Sequence, residues 1–179
     1  RDTVRSRGLG DVYKRQLSDL AKESVTNISA VVKKLTGKDI KDYDLHVQFP
    51  GTHNVDGDSA SITMATAIIS AFEGVPIDQN LAMTGSLSVR GEVLPIGGVS
   101  AKIEAAVKSG IERVVIPRSN LQDVLIDEKY ESMVEIIAVD SLDEVLEHAL
   151  VGEQEKVSLV ERLAKVIDTF SASSDSTLA

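Results

Sequence analysis

Apolar side chains recur every three to four positions in five segments of the chain, a spacing that gathers them on one face of a helix. The predicted helices cover residues 17–34, 59–72, 99–108, 142–150 and 157–170. A further short helix is predicted at 121–125, capped by Ser119. Ser141 and Glu144 have the spacing of a capping box at the start of the 142–150 helix.

Short runs rich in Val, Ile and Leu lie between these helices and predict strands. They cover residues 45–49, 81–89, 92–94, 112–116 and 134–139. The second and third runs are separated only by Arg90 and Gly91, which predicts an antiparallel hairpin. Because helices and strands otherwise alternate, the sequence predicts a single α/β (α+β) domain with helices around a mixed sheet.

The composition is that of one globular domain. Of 179 residues, 42% are hydrophobic and only 3% aromatic, so the core must consist of Val, Ile, Leu and Ala. Residues 1–16 carry five of the 19 basic residues without any periodic pattern, which predicts a non-native, adapter-derived or disordered segment. The folded domain is expected at 17–152, followed by a C-terminal helix and a disordered tail at 153–179.

The charge and the missing residue types exclude several classes of function. A formal net charge of -9 argues against nucleic acid or an anionic membrane as a partner. The chain has no Cys, which excludes a disulfide framework and a thiol nucleophile, and with only three His it is a poor candidate for zinc. No apolar run reaches the roughly 18 residues of a bilayer span, so a cytoplasmic protein without direct membrane contact is predicted.

Ser59 is the first residue with candidate chemistry. It follows a loop of turn-forming residues at 50–58 and opens a helix of small residues. The backbone N–H groups of a first helical turn lack partners within the helix, so they could stabilise an oxyanion that develops beside this serine. Asp58 and Ser59 are equally suited to capping the helix, and the segment alone leaves both interpretations open.

Lys102 is the second candidate. It lies in the first turn of the 99–108 helix, beside the apolar stripe that contains Val99 and Ile103. The positive field of a helix start and partial burial both lower the pKa of a lysine, which favours the neutral amine that a general base needs. The alternative is a solvated surface lysine.

The sequence motifs around Ser59 and Lys102 both resemble motifs of one protein family. The stretch MTGSLSVRGEVLPIGGVSAKIEAAVKSGIERVVIP at 83–117 closely resembles the region of the catalytic lysine in Lon proteases. The string DGDSAS at 56–61 resembles the nucleophile motif of the archaeal-type, LonB branch of that family. The order of the two motifs and the separation of 43 positions from Ser59 to Lys102 also resemble those of the family. The resemblance extends from about residue 17 to about residue 150.

The resemblance implies the Lon proteolytic-domain fold and a serine endopeptidase with a Ser–Lys dyad. Ser59 would be the nucleophile and Lys102 the base that takes its proton and returns it to the leaving amine. Thr84 matches a family threonine whose hydroxyl helps to hold the lysine. Asp56 matches an acidic position that could pair with the lysine and modulate it, whereas Asp58 is expected to be a loop and capping residue.

The resemblance also implies a larger parent protein. Lon proteases couple this domain to an AAA+ module that binds ATP and Mg²⁺, and the chain lacks the G-x-x-x-x-G-K-[ST] motif of such a module. We therefore expect no cofactor in this chain and at most weak, ATP-independent peptide cleavage. The full-length parent is expected to form a homo-oligomer, a hexamer, that degrades unfolded or damaged proteins, anchored to the cytoplasmic face of the membrane through the absent module.

Other interpretations remain open at this point. The implied fold is also used by a ribosomal protein and by small-molecule kinases, so a non-hydrolytic scaffold or a phosphoryl transferase is an alternative. A serine hydrolase that uses His53 as its base is another, while His46 is expected to be structural and His148 to lie at the surface. A Lon-derived domain could also hold Ser59 and Lys102 in an unproductive arrangement.

Overall fold

The computed structural model describes residues 19–47 and 58–152, together with positions 157, 159–161 and 164–165 of a C-terminal helix. Helices and strands alternate along this part of the chain, as predicted. The helices are α1 (Asp19–Thr36), α2 (Ser61–Glu73), α3 (Val99–Lys108), α4 (Glu128–Glu131) and α5 (Leu142–Ala149). The strands are β1 (Leu81–Met83), β2 (Ser86–Leu87), β3 (Val93–Leu94), β4 (Arg113–Pro117) and β5 (Glu135–Val139). Two 3₁₀ helices lie at Ile40–Asp42 and Arg118–Asp123.

Parallel and antiparallel pairs are both present, and they lie in two separate sheets. The larger sheet is parallel, with β4 between β1 and β5; Leu81 pairs with Arg113, which also pairs with Glu135. The smaller sheet is the predicted hairpin, in which β2 and β3 are antiparallel. In a parallel sheet all strands end at the same edge, so whatever follows β1, β4 and β5 collects at one carboxyl edge.

The predicted 81–89 strand is divided between these two sheets. The break falls at Thr84 and Gly85, where the backbone leaves β4 for another partner. The Thr84 N–H still donates to the Val115 carbonyl at 3.0 Å, but the Gly85 N–H donates to the Ser59 carbonyl at 2.9 Å. The end of β1 is therefore hydrogen-bonded to the turn that carries Ser59.

The hydrophobic core has two layers because successive side chains of a strand point to opposite faces. Along β4, Val115 belongs to a large cluster, whereas Val114 and Ile116 belong to a smaller one. Helices α1, α2 and α5 cover the large-cluster face, and α3 covers the other face together with residues 118–126. Since α2 follows Ser59 and α3 carries Lys102, the two candidate residues come from opposite faces of the sheet.

The predicted helix bounds are mostly within two residues of the observed ones, and α3 matches at both ends. The predicted caps lack their side-chain hydrogen bonds, although Ser141 does occupy the N-cap position of α5. Ser141 makes no side-chain cap, and the Glu144 carboxylate accepts from the Asp140 N–H at 3.2 Å instead of closing a capping box. The helix predicted at 121–125 is a 3₁₀ helix at Arg118–Asp123 that follows Pro117, so Ser119 does not cap it.

The other differences concern the first third of the chain. Residues 44–47 form no strand, although a strand was predicted at 45–49; Leu45 and Val47 pack against the large cluster without strand pairing. Residues 1–16 and 48–57, and most of the 153–179 segment, lie outside the described residues, so the proposed domain limits stay predictions. Within the described part of the chain, no helix has both the length and the apolar character to cross a bilayer.

Candidate active site

Ser59, Thr84 and Lys102 meet at the carboxyl edge of the parallel sheet. The Lys102 Nζ atom lies 2.7 Å from the Ser59 Oγ atom and 3.2 Å from the Thr84 Oγ1 atom. Three separate segments supply these groups: the turn before α2, the residue after β1 and the first turn of α3. The structure thus brings together two residues that are 43 positions apart in the sequence.

The turn that carries Ser59 is held by its backbone. The Ser59 carbonyl accepts hydrogen bonds from the Gly85 N–H at 2.9 Å and from the Thr84 hydroxyl at 3.1 Å. The Ile62 N–H donates in return to the Gly85 carbonyl at 3.3 Å. A side chain at position 85 would be crowded, because a Cβ atom there would lie 3.0 Å from Ile62 Cδ1 and 3.1 Å from Val93 Cγ1, and these side chains would have to shift.

The start of α2 differs from both interpretations that the sequence left open. The helix begins at Ser61 after Ala60, and neither Asp58 nor Ser59 caps it with a side chain. The backbone N–H groups of Ser61 and Ile62 are already bonded to the carbonyls of Asp58 and Gly85. The sequence predicts that the N–H groups of the first helical turn are available for an oxyanion. In the structure these two groups are not available, because they already have backbone partners.

The Thr84 hydroxyl is hydrogen-bonded to both Ser59 and Lys102, and the direction of these bonds can be assigned. The Thr84 side chain is buried, with a relative exposure of 8% for the residue. The hydroxyl has a single proton, which it donates to the Ser59 carbonyl, so its oxygen can only accept from Lys102. One N–H of the Lys102 amine is thereby directed at Thr84, and the lone pair of a neutral amine remains available for the Ser59 hydroxyl.

The electrostatic surroundings of Lys102 favour the neutral amine. Partial burial lowers the pKa of Lys102 below its usual 10.5, and the negative charge of Asp58 opposes this by a smaller amount. The Asp58 carboxylate does not cap a helix; it accepts from the Ser86 hydroxyl at 2.5 Å. Ser86 is buried and was not singled out from the sequence, although the glycine beside it inside a predicted strand is a known sign of close backbone approach.

The remaining sequence candidates do not join this cluster. Asp56 and His53 lie outside the described residues. His46 is exposed in the segment after the first 3₁₀ helix, and His148 is partly buried in the last turn of α5. Among the described residues, no group of three or more His, Asp or Glu side chains is arranged to hold a metal ion.

A serine hydroxyl in contact with a partly buried lysine, at the edge of an α/β sheet, defines a candidate Ser–Lys hydrolase site. Residues 3–152 match the model of the Lon protease (S16) C-terminal proteolytic domain. The chain belongs to this family and is of the archaeal type, which confirms the resemblance seen in the motifs at 56–61 and 83–117.

Curated relatives support the same assignment. The chain is 55% identical over 154 residues to the archaeal Lon protease of Methanothermobacter thermautotrophicus, and the match covers 86% of this chain and 24% of the relative. It is 57% identical over 153 residues to that of Halobacterium salinarum, covering 84% of this chain and 22% of the relative. Lon protease 2 of Bacillus subtilis is 47% identical over 133 residues, and the match covers 74% of this chain and 23% of that protein. The chain thus spans about a quarter of the length of these proteins.

Proposed function

We propose that this chain is a serine endopeptidase domain in which Ser59 is the nucleophile and Lys102 the general base. The observation that carries the proposal is the 2.7 Å contact between Lys102 Nζ and Ser59 Oγ, combined with burial that lowers the pKa of Lys102. Proton transfer to a base requires both a hydrogen-bond distance and a base that is neutral near the working pH. The contact satisfies the first condition and the burial favours the second.

The reaction follows from these groups. The neutral Lys102 amine takes the hydroxyl proton of Ser59 while the oxygen forms a bond to the scissile carbonyl carbon, and the carbonyl electron pair moves to its oxygen. As the carbon–nitrogen bond breaks, the Lys102 ammonium returns the proton to the leaving amine. A water molecule then attacks the acyl-enzyme, with Lys102 again taking a proton and passing it back to Ser59. Thr84 keeps the amine directed at the serine during both steps.

We propose different roles for the two acidic residues before Ser59. The Asp58 charge raises the pKa of Lys102, which opposes its function as a base, so Asp58 tunes the pH at which the site works. Ser86 holds the Asp58 carboxylate by a hydrogen bond and so limits how closely it approaches the lysine. Asp56 keeps the proposed role of a modulator that could pair with Lys102.

We also propose that the domain acts within a longer ATP-dependent Lon protease. The relatives named above are about four times the length of the segment they share with this chain, which leaves room for an AAA+ module that binds ATP and Mg²⁺. In that setting the substrates are unfolded or damaged proteins, and the assembly is a homo-oligomer, a hexamer. The proposed location is the cytoplasm, with the full-length parent anchored to the membrane outside this domain; the acidic charge supports a protein rather than a nucleic-acid partner.

Covalent labelling tests the proposed nucleophile. A peptidyl diphenyl phosphonate reacts with a serine only when a nearby base activates its hydroxyl. We expect a single adduct at Ser59, located by mass spectrometry of the digested chain. An adduct at Ser61 or Ser86, or no adduct at a reagent concentration that labels a known serine peptidase, would contradict the proposal.

The substitution Asp58→Asn is expected to move the acid limb of the pH–rate profile to lower pH. Activity rises with pH as Lys102 loses its proton, and removal of the Asp58 charge lowers the pKa of Lys102 further. Asparagine keeps a side-chain oxygen that can accept from Ser86, so the turn should be preserved. The measurement is kcat/KM for a fluorogenic peptide across the acid limb, with Asp127→Asn, a remote exposed carboxylate, as the control. A limb that moves to higher pH would contradict the assignment of Lys102 as the base.

A further inference from the structure

The start of α3 is tied to the neighbouring segment by a buried asparagine. Asn120 lies in the 3₁₀ helix Arg118–Asp123 and has a relative exposure of only 3%. Its Oδ1 atom accepts from the Ile96 N–H at 2.8 Å, and its Nδ2 atom donates to the Ile96 carbonyl at 3.0 Å. The side-chain amide thus pairs with both backbone groups of Ile96, three residues before α3 begins.

A second tie joins the same two segments on the helix itself. The Ser100 hydroxyl, in the first turn of α3, donates to the Asp123 carbonyl at 3.0 Å and accepts from the Leu125 N–H at 2.9 Å. The Asn120 Nδ2 atom also donates to the Asp123 carboxylate at 2.9 Å, which orients the amide. We call the contacts of Asn120 and Ser100 the α3 latch. They hold the chain before Gly98 and after it, where the helix begins.

Hydrophobic packing constrains the position of α3 along its axis less sharply than directional hydrogen bonds do. Val99 and Ile103 pack into the small cluster against β4, but such packing has no preferred direction. Hydrogen bonds fix distance and angle, so the latch determines how far along its axis the helix lies. Lys102 is only two residues beyond Ser100, and its reach to Ser59 Oγ depends on that position.

We propose that Asn120 is a positioning residue of the active site, with Ser100 as its second contact: the α3 latch holds Lys102 at proton-transfer distance from Ser59. This inference rests on the proposed function of the dyad. The side-chain hydrogen bonds of Asn120 go to Ile96 and Asp123 and not to Ser59, so it acts through the backbone of Ile96 and the start of α3. Removal of the Asn120 side chain leaves the N–H and carbonyl of Ile96 without the amide that pairs with them, and the first turn of α3 can then move.

The test separates positioning from general stability. The variants are Asn120→Ala and Ser100→Ala, with Ile126→Ala as the control, because Ile126 packs against the same small cluster and makes none of the latch hydrogen bonds. For each variant of the full chain, we would measure the rate constant of phosphonate labelling at Ser59, kcat and KM for a fluorogenic peptide, and the melting temperature.

In Asn120→Ala the labelling rate and kcat are expected to fall about 10- to 100-fold, because a displacement of about 1 Å at a catalytic group has effects of this size. KM should change little, because Asn120 is only 3% exposed and so offers a substrate almost no surface. Ser100→Ala should change the same two quantities in the same direction by a smaller factor. Ile126→Ala should lower the melting temperature yet keep the labelling rate close to that of the wild type.

Each other outcome counts against the inference. It is overturned if Asn120→Ala labels as fast as the wild type, or if Ile126→Ala slows labelling as much at an equal loss of melting temperature. If Asn120→Ala does not fold, an unchanged labelling rate in Ser100→Ala overturns it. A wild-type chain that takes no label would instead contradict the proposed function, so the two failures are distinguishable.

Discussion

Ser59→Ala is expected to reduce peptide hydrolysis by at least about 1,000-fold, because the substitution removes the proposed nucleophile and leaves only the residual catalysis of the surrounding site. Among the described residues, the neighbouring hydroxyls of Thr84, Ser61 and Ser86 donate their protons to acceptors other than Lys102. The Thr84 hydroxyl donates to the Ser59 carbonyl. The Ser61 hydroxyl donates to the Asp58 carbonyl, and the Ser86 hydroxyl donates to the Asp58 carboxylate. Hydrolysis of a fluorogenic peptide and phosphonate labelling would both be measured.

The fold of Ser59→Ala should be unchanged. The turn is held through the Ser59 carbonyl, which accepts from Thr84 and Gly85, and alanine keeps that carbonyl. The melting temperature should therefore stay close to that of the wild type. Ser109→Ala, at the exposed end of α3, serves as the matched control and should retain full activity. A Ser59→Ala chain that keeps more than about a tenth of the activity would exclude Ser59 as the nucleophile.

Lys102→Met is expected to lower both kcat and the phosphonate labelling rate by about 1,000-fold or more, since proton transfer and the activation of the serine are lost together. Methionine matches the length and apolar stem of lysine and so preserves packing. The control is Lys108→Met in the same helix, where the lysine is exposed and paired with Glu104 at 3.3 Å. Equal loss in the two variants would show that α3 needs a positive charge in general rather than a base at position 102.

The same substitution should raise stability near neutral pH. Because burial lowers the pKa of Lys102, the folded state disfavours the protonated amine relative to the unfolded state. This penalty is fully present below the folded pKa and disappears as pH rises above the usual 10.5. The melting temperature of Lys102→Met should exceed that of the wild type at neutral pH, and the difference should shrink at high pH. A lower melting temperature at neutral pH would mean that the lysine has a structural role.

Local sequence patterns predicted the elements well where apolar periodicity was strong. Helix α3 matches at both ends because Val99, Ile103 and Val107 form a regular stripe and glycines at 98 and 110 bound it. Gly85 inside the predicted strand was a sign of a break, but its partner could not be predicted, because the Gly85 N–H donates to Ser59, 26 positions away. The capping box failed because the Glu144 carboxylate accepts from the Asp140 N–H, one residue before the N-cap, and from Arg118, which is 26 positions away.

The sequence by itself determined which residues could carry the chemistry. Ser59, Thr84 and Lys102 stand in motifs that resemble one family, and the spacing and type of the surrounding elements are readable from apolar periodicity. Only the tertiary structure decided that these groups touch and that the lysine is partly desolvated. Distance and desolvation at Lys102 depend on the turn before α2, the end of β1 and the latch on α3, which come from separate segments. No local pattern encodes how segments from opposite faces of a sheet meet at its edge.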